Sequence, residues 1–340
     1  MTDADFDIAV LRDFLDKSFG RTDRFELTRV AGGQSNPTYF VSHGDASMVL
    51  RKKPNGPILK GAHAVEREYR VLEALYPAGV PVARPILFHD NPALLGTPFY
   101  LMEKVEGRIF TNCSMPELPK AERCAIWMGL ADALAAMHSI RPADVGLEDY
   151  GRPGNYFKRQ IDRWTMQWRG SESPPIPALD RLVAWLPEHL PPDDGQMTLA
   201  HGDFRIGNMI FHPSEPRVVA ILDWELSTLG HPLADLGFCV MPWHTSPDEY
   251  GGILGLDLDV LGLPEESEFV ERYMGRMPHA APLRRFHKVF ALFRFAVIFV
   301  GIADRARGGN AVDKHAAELG PLAERFAIRA LDIAEAKRRA

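Results

Sequence analysis

Asp203, Asn208 and Asp223 are the residues of this chain best suited to chemistry: they set two carboxylates and an amide oxygen on two short apolar runs. The runs are joined by the turn-forming His212-Pro213-Ser214-Glu215-Pro216, so the segment reads as a hairpin with three oxygen-bearing side chains gathered at one end. Phosphoryl transfer needs such a set, with one carboxylate to accept the hydrogen bond of the attacking hydroxyl and further oxygens to place Mg²⁺ against nucleotide phosphates. Asp203 suits the first task; Asn208, five positions on, and Asp223 suit the second. Magnesium takes hard oxygen ligands, and one or two carboxylates plus phosphates suffice. Singly, each of these residues has a plain explanation as a turn former or helix cap. The ordered set is what points to chemistry.

Such a set must be held by surrounding elements. Two strands, 25–30 and 39–41, flank Ala31-Gly32-Gly33-Gln34-Ser35-Asn36 as strands flank a nucleotide-covering loop. Gly32 and Gly33 permit close backbone approach, and Ser35 and Asn36 offer donors to phosphate oxygens, although an ordinary hairpin has the same composition. The strand 47–53 ends at Pro54 and carries Arg51, Lys52 and Lys53. Alternation puts Val49, Arg51 and Lys53 on one face and Leu50 and Lys52 on the other, so one cation serves nucleotide phosphates and the others solvate a strand end. A helix over 62–76 shows Val65, Tyr69, Leu72 and Tyr76 as its apolar face, with Glu68 on the margin and Glu66 outward. A half-buried carboxylate wants a cation, so Glu68 pairs with Arg51 or makes a surface salt bridge. The strand at 98–107 runs into a glycine-ended connector, after which helical spacing of Trp127, Leu130, Leu134 and Met137 marks 120–140, with His138 as a packing residue. The Pro-rich 173–177 and 191–195 read as loops.

The sequence His201-Gly202-Asp203 with Asn208, Ile221-Leu222-Asp223-Trp224 and 230–237 resembles the aminoglycoside phosphotransferase and choline kinase-like branch of the protein-kinase fold. Leu222 stands between Ile221 and Asp223 where that branch shows Ile-Asp-Trp, and the Gly-x-Gly-x-x-Gly of protein kinases is absent from the first loop. The resemblance implies an α+β, two-lobed fold: a small β-rich nucleotide-binding lobe over 1–106 and a larger, mostly helical catalytic and substrate-binding lobe over 107–340. It implies ATP and Mg²⁺ as cofactors, Arg51 as the phosphate-holding cation, and a hinge in which backbone groups from Glu103 to Val105 meet adenine while Met102 lines the pocket. His201 supports the loop, and Asp235 braces it or caps a helix. Over nearly the whole chain, including 50–54, 62–72 and 96–100, the similarity is greatest to the kinase domain found fused to acyl-CoA dehydrogenase modules. That kinship implies a hydroxyacyl-CoA acceptor.

At 340 residues the chain exceeds one usual core, and 46% hydrophobic with 25% charged residues is ordinary globular composition. A net charge of −6 argues against general nucleic-acid binding. Three cysteines, Cys113, Cys124 and Cys239, without metal-ligand spacing suit a reducing compartment, and the first residues lack a signal-peptide pattern, so a cytoplasmic location is expected. The apolar run 289–303 contains Arg294 and falls short of the ~20 residues of a membrane span; it reads as a buried helix.

One segment bears on the acceptor. Between Gly151 and Gly170, Arg152, Lys158, Arg159, Arg163 and Arg169 face a single acid, Asp162, and alternate with Tyr156, Phe157, Trp164 and Trp168. The mix suits a phosphate-bearing ligand, while Ile161, Trp164 and Trp168 are equally spaced as a core stripe with the cations on the wet face. The expected function is therefore an ATP- and Mg²⁺-dependent small-molecule phosphotransferase, with two rivals: an aminoglycoside or amino-alcohol kinase, and a catalytically silent nucleotide-binding protein on the same fold. Sequence leaves the oligomeric state open.

Overall fold

The computed structural model describes residues 4–30, 36–55, 64–152, 154–307 and 320–336. The chain divides into two compact units, one of residues 1–108 with 219–225 and the other of 109–218 with 226–340. Gly32, Gly33 and Ser35 of the first loop, and the start of the helix expected from 62, lie outside the described residues.

The first unit is built on α1 (Ile8–Phe19), β1 (Phe25–Arg29), β2 (Thr38–His43), β3 (Ala46–Lys52), α2 (Val65–Leu75), β4 (Pro85–His89) and β5 (Phe99–Glu103). The strands form one antiparallel sheet in the order β1-β2-β3-β5-β4. Asp7 caps α1 by accepting from the Ala9 amide, and Leu11 and Leu15 are wholly buried with Tyr39, Val41, Leu50, Phe99 and Leu101. Each such leucine contributes about 2 kcal/mol by leaving water. Helix α2 packs on β4 and β5, and its buried residues are Val65, Glu68, Val71, Leu72 and Leu75. The buried stripe therefore differs from the expected one. Tyr76 follows the last helical residue and is 44% exposed, and Tyr69 is only partly covered, because Leu75 and Val71 take the inward positions.

The second unit continues with α3 (Lys120–His138), α4 (Tyr156–Arg169), α5 (Pro177–Glu188), β6 (Thr198–Ala200), β7 (Met209–Phe211), β8 (Val218–Ile221, of which 219–221 belong to the first unit), β9 (Thr228–Gly230), α6 (Pro232–Cys239), α7 (Leu258–Leu261), α8 (Glu266–Arg276), α9 (Arg285–Arg307) and α10 (Gly320–Glu335). The turn after β7 is closed by the His212 amide donating to Arg217 O at 2.9 Å. α9 is long and apolar enough to cross a membrane by length and composition, but 78% of its apolar stretch is buried by its neighbours in the fold, among them α10, α6, α4 and α5. It is the buried helix that the sequence suggests.

Gly129 lies inside α3, where a Cβ would collide with the Pro216 carbonyl oxygen of the turn between β7 and β8. Gly129→Ala should therefore lower stability by about 3 kcal/mol through overpacking and depress Tm by roughly 6–12 °C. An unchanged melting curve would mean that the turn yields freely.

Candidate active site

In the first unit, β3 and α2 bring a cation and a carboxylate together. Arg51 Nε lies 2.9 Å from Glu68 Oε2, and Arg51 Nη2 lies 3.3 Å from Asp223 Oδ1. Glu68 also accepts from Asn36 Nδ2 at 2.6 Å and from the Tyr100 hydroxyl at 3.0 Å. Tyr100 reaches it because β3 and β5 pair Arg51 directly opposite Tyr100. Burial pushes the Glu68 carboxyl up from its ordinary range, with Arg51 and Tyr100 opposing. Burial also disfavours the Arg51 charge, yet Glu68, Tyr100 and Asp223 outweigh it and hold the guanidinium above its usual value. A buried cation between two acids is fixed in place, since removing either partner would leave a charge uncompensated.

The neighbouring residues of the strip 36–53 do other work. Lys52 is fully buried, with its ammonium 2.9 Å from Asp5 Oδ2 and 5.4 Å from the Phe6 ring centre. Lys53 pairs with Glu66 at 3.2 Å. Asn36 is 2% exposed and its amide is given to Glu68. At the end of β5, the Glu103 amide donates to Arg84 O and the Lys104 amide to Ser47 O, and the Glu103 carboxylate pairs with Arg84. Those two amides are engaged by the sheet, which leaves the partly buried Met102 and the backbone of Val105 beyond the strand end.

Asp223 has a backbone φ of +65°, a left-handed conformation that costs a non-glycine residue about 1 kcal/mol or more. It is held there by its flanks: the Ile221 amide donates to Pro81 O at 2.8 Å and Trp224 Nε1 donates to Ile221 O at 3.1 Å. Its carboxylate stays one-third exposed.

In the second unit, β6 delivers His201, Gly202 and Asp203 into a tight loop. Gly202 has φ +84°, and a Cβ there would sit 2.8 Å from Leu226 O, so only glycine fits. The wholly buried Asp235 accepts from the His201 amide at 2.6 Å, the Gly202 amide at 2.9 Å and His138 Nε2 at 3.3 Å. Burial works against its charge, but these donors keep its carboxyl below the usual range. The Asp203 amide donates to His201 Nδ1 at 3.1 Å. Asn208, on a single 3₁₀ turn, donates its amide to Asp203 O at 2.9 Å and to Asp203 Oδ2 at 2.7 Å. That orientation commits the Asn208 nitrogen and leaves its oxygen facing elsewhere. Arg205 Nε stands 3.4 Å from the same Asp203 Oδ2, and among the described residues Oδ1 has no partner.

Arg205, Tyr100, Tyr273 and Arg294 are members of these networks that sequence reasoning passed over. The Tyr273 hydroxyl is hydrogen-bonded to His138 Nδ1 at 2.8 Å, and buried Arg294 donates to Gly202 O with its guanidinium over Trp164 and Phe238. A charged residue inside an otherwise apolar helix was the available signal for Arg294, because it must find an acceptor. In the basic segment, Ile161, Trp164 and Trp168 are core. Lys158 pairs with Asp162, and Arg163 stacks on Trp164. Arg152 and Arg159 instead border a cavity of about 390 Å³.

Among the described residues no three His, Cys, Asp or Glu side chains cluster as a metal cage. Asn208 in the second unit and Asp223 in the first each carry a hard oxygen of the kind that Mg²⁺ takes together with phosphate oxygens.

The phosphotransferase enzyme family model matches residues 26–268. Acyl-CoA dehydrogenase family member 11 of Gallus gallus is 41% identical over 317 residues, 91% of this chain but 40% of that protein, so the chain spans less than half of the relative. A crystal structure from Ralstonia eutropha, provisionally assigned as an aminoglycoside phosphotransferase, superposes with TM-score 0.88 at 40% identity over 97% of this chain and 98% of its own. A thermostable mutant of aminoglycoside phosphotransferase APH(4)-Ia, in complex with AMP-PNP and hygromycin B, shares the fold at TM-score 0.64 and 12% identity, over 96% and 99% of the two chains.

Proposed function

The chain belongs to the phosphotransferase enzyme family, and from that premise we propose that it transfers the γ-phosphoryl group of ATP, with Mg²⁺, to a hydroxyl of a small molecule. The observation that carries the proposal is the catalytic loop itself, where Asn208 fixes one oxygen of Asp203 and leaves the other open. Asp203 Oδ1 accepts the hydrogen bond of the acceptor hydroxyl and takes its proton late, since phosphoryl transfer passes through a loose transition state. Arg51, immobilised by Glu68, would neutralise nucleotide phosphate charge, and Asn208 and Asp223 are the residues that would hold the metal. Bound Mg²⁺ would supply charge neutralisation on the phosphate oxygens. Met102 and the Val105 backbone serve the adenine. Residues 1–106, joined by the strip 219–225, act as the nucleotide lobe and the rest of 107–340 as the acceptor lobe.

For the acceptor we propose a hydroxyacyl-CoA, processed in the cytoplasm. The support is the 41% identity to a protein named for acyl-CoA chemistry. The kinship with aminoglycoside phosphotransferases favours the second reading, an aminoglycoside or amino alcohol as acceptor. ATP consumption across hydroxyacyl-CoAs, amino alcohols and aminoglycosides tests both. Turnover with a hydroxyacyl-CoA is expected, and turnover confined to amines overturns the acceptor while leaving the kinase. ATP binding without turnover on any hydroxyl compound would favour the silent nucleotide-binding protein.

A further inference from the structure

The cavity of about 390 Å³ in the second unit lies away from the catalytic loop. Met197 and Gly230 border it, and both stand at the same end of the β6-β9 pair, where Thr198 lies opposite Gly230. Asp203 follows the other end of β6, about 10 Å of strand away. The size is that of a small-molecule site.

Its polar groups are arranged for an anion. Three guanidiniums border the cavity: Arg159 donates to Gly154 O and Arg152 O, whereas Arg152 and Arg284 are exposed and among the described residues neither makes an ion pair or side-chain hydrogen bond. His287 is 2% exposed and its Nδ1 accepts from the Arg284 amide at 2.9 Å, so the neutral ring carries its proton on Nε2. Burial, with His231 and Arg284 nearby, lowers this imidazole to about 3, so it stays neutral. Among the described residues no acceptor takes the Nε2 proton, which leaves a donor unpartnered on this cavity-lining residue. The acids at the rim are already engaged. Asp194 accepts from His231 Nε2 at 3.1 Å and from the Gln196 amide at 3.0 Å, and Asp193 accepts from the Gly195 amide at 3.2 Å. The remaining wall includes Tyr156 and Leu233, both buried and apolar.

We propose that this cavity is a second ligand site, for a small organic anion whose charged head meets Arg152, Arg284 and His287 Nε2 and whose apolar body covers Tyr156 and Leu233. The head is a phosphate monoester or a carboxylate. Both accept charge-assisted hydrogen bonds from guanidinium and imidazole donors. The site is independent of the kinase reading, because every residue in it lies outside the catalytic loop.

The test uses the full chain with phenyl phosphate and benzoate as probes, followed by calorimetry and by the ¹⁵N imidazole resonances of His287. Saturable binding of either probe, with a shift at His287 Nε2, is the expected result, and the tighter probe identifies the head. The Arg152→Ala/Arg284→Ala double variant should bind about tenfold more weakly or worse, and Arg163→Ala, which alters a cation of α4 that does not border the cavity, should bind as the parent does. Both removed side chains are exposed, so an unchanged melting temperature checks that the double variant is folded. Three results would each overturn the proposal: no movement of the His287 resonance with either probe, parental affinity in the double variant, or equal affinity for inorganic phosphate.

Discussion

Asp203→Asn should lower phosphoryl transfer by roughly 10²–10⁴-fold, the share that a positioned general base supplies, while the KM for ATP stays close to the parental value. The geometry favours a clean experiment. An asparagine at 203 can keep its carbonyl oxygen on the Asn208 amide, which now donates to Oδ2 at 2.7 Å. That choice puts the new NH₂ where Oδ1 stood, facing the acceptor with two donors and no lone pair. The loop should remain in place, because Asp235 holds it through the backbone amides of His201 and Gly202 and not through the Asp203 side chain. Steady-state kinetics with the acceptor found by the substrate screen decides it. Parental kcat would remove Asp203 from the chemistry.

Asp223 gives the second large effect. Asp223→Asn should abolish the Mg²⁺ dependence of ATP binding, because it removes the one negative charge that this side would offer the dication beside the uncharged Asn208, and it also weakens the hold on Arg51. Asparagine is the suitable replacement, since it tolerates the left-handed backbone at φ +65° that alanine would resist. Calorimetric titration of ATP with and without Mg²⁺ should give two curves for the parent and one for the variant. A retained Mg²⁺ enhancement would take Asp223 out of the metal site.

Much of this was legible in the sequence, for identifiable reasons. Period-two alternation located β3 and singled out Arg51, Lys52 and Lys53. Only the structure separates them, because the partners of Lys52 and Arg51 come from Asp5 and Asp223, 47 and 172 residues away. Glu68 could be read from its place on a helix margin, but its second donor, Tyr100, depends on the register of β3 against β5, which local pattern does not encode. Asn36 looked like a phosphate donor by composition; burial gives its amide to Glu68. The apolar face of α2 was placed one position late at Tyr76, since an aromatic ring scores as core whether or not a helix continues beneath it. His138 was read as packing and is also a donor to Asp235, a role set by α6 coming alongside.

The short strip 219–225 carries a consequence for how this protein could be divided or recombined. The backbone passes from one unit to the other three times, after 108, after 218 and after 225. A fragment ending at residue 108 would lack Asp223, leaving Arg51 with Glu68 alone, and would lose the Ile221 amide from the Pro81 carbonyl. Neither unit is a cassette that one cut can release. Shuffling, tagging or splitting this chain at its apparent boundary would separate the Asp223 carboxylate from the sheet whose Arg51 it pairs with, so any such exchange has to move both pieces together.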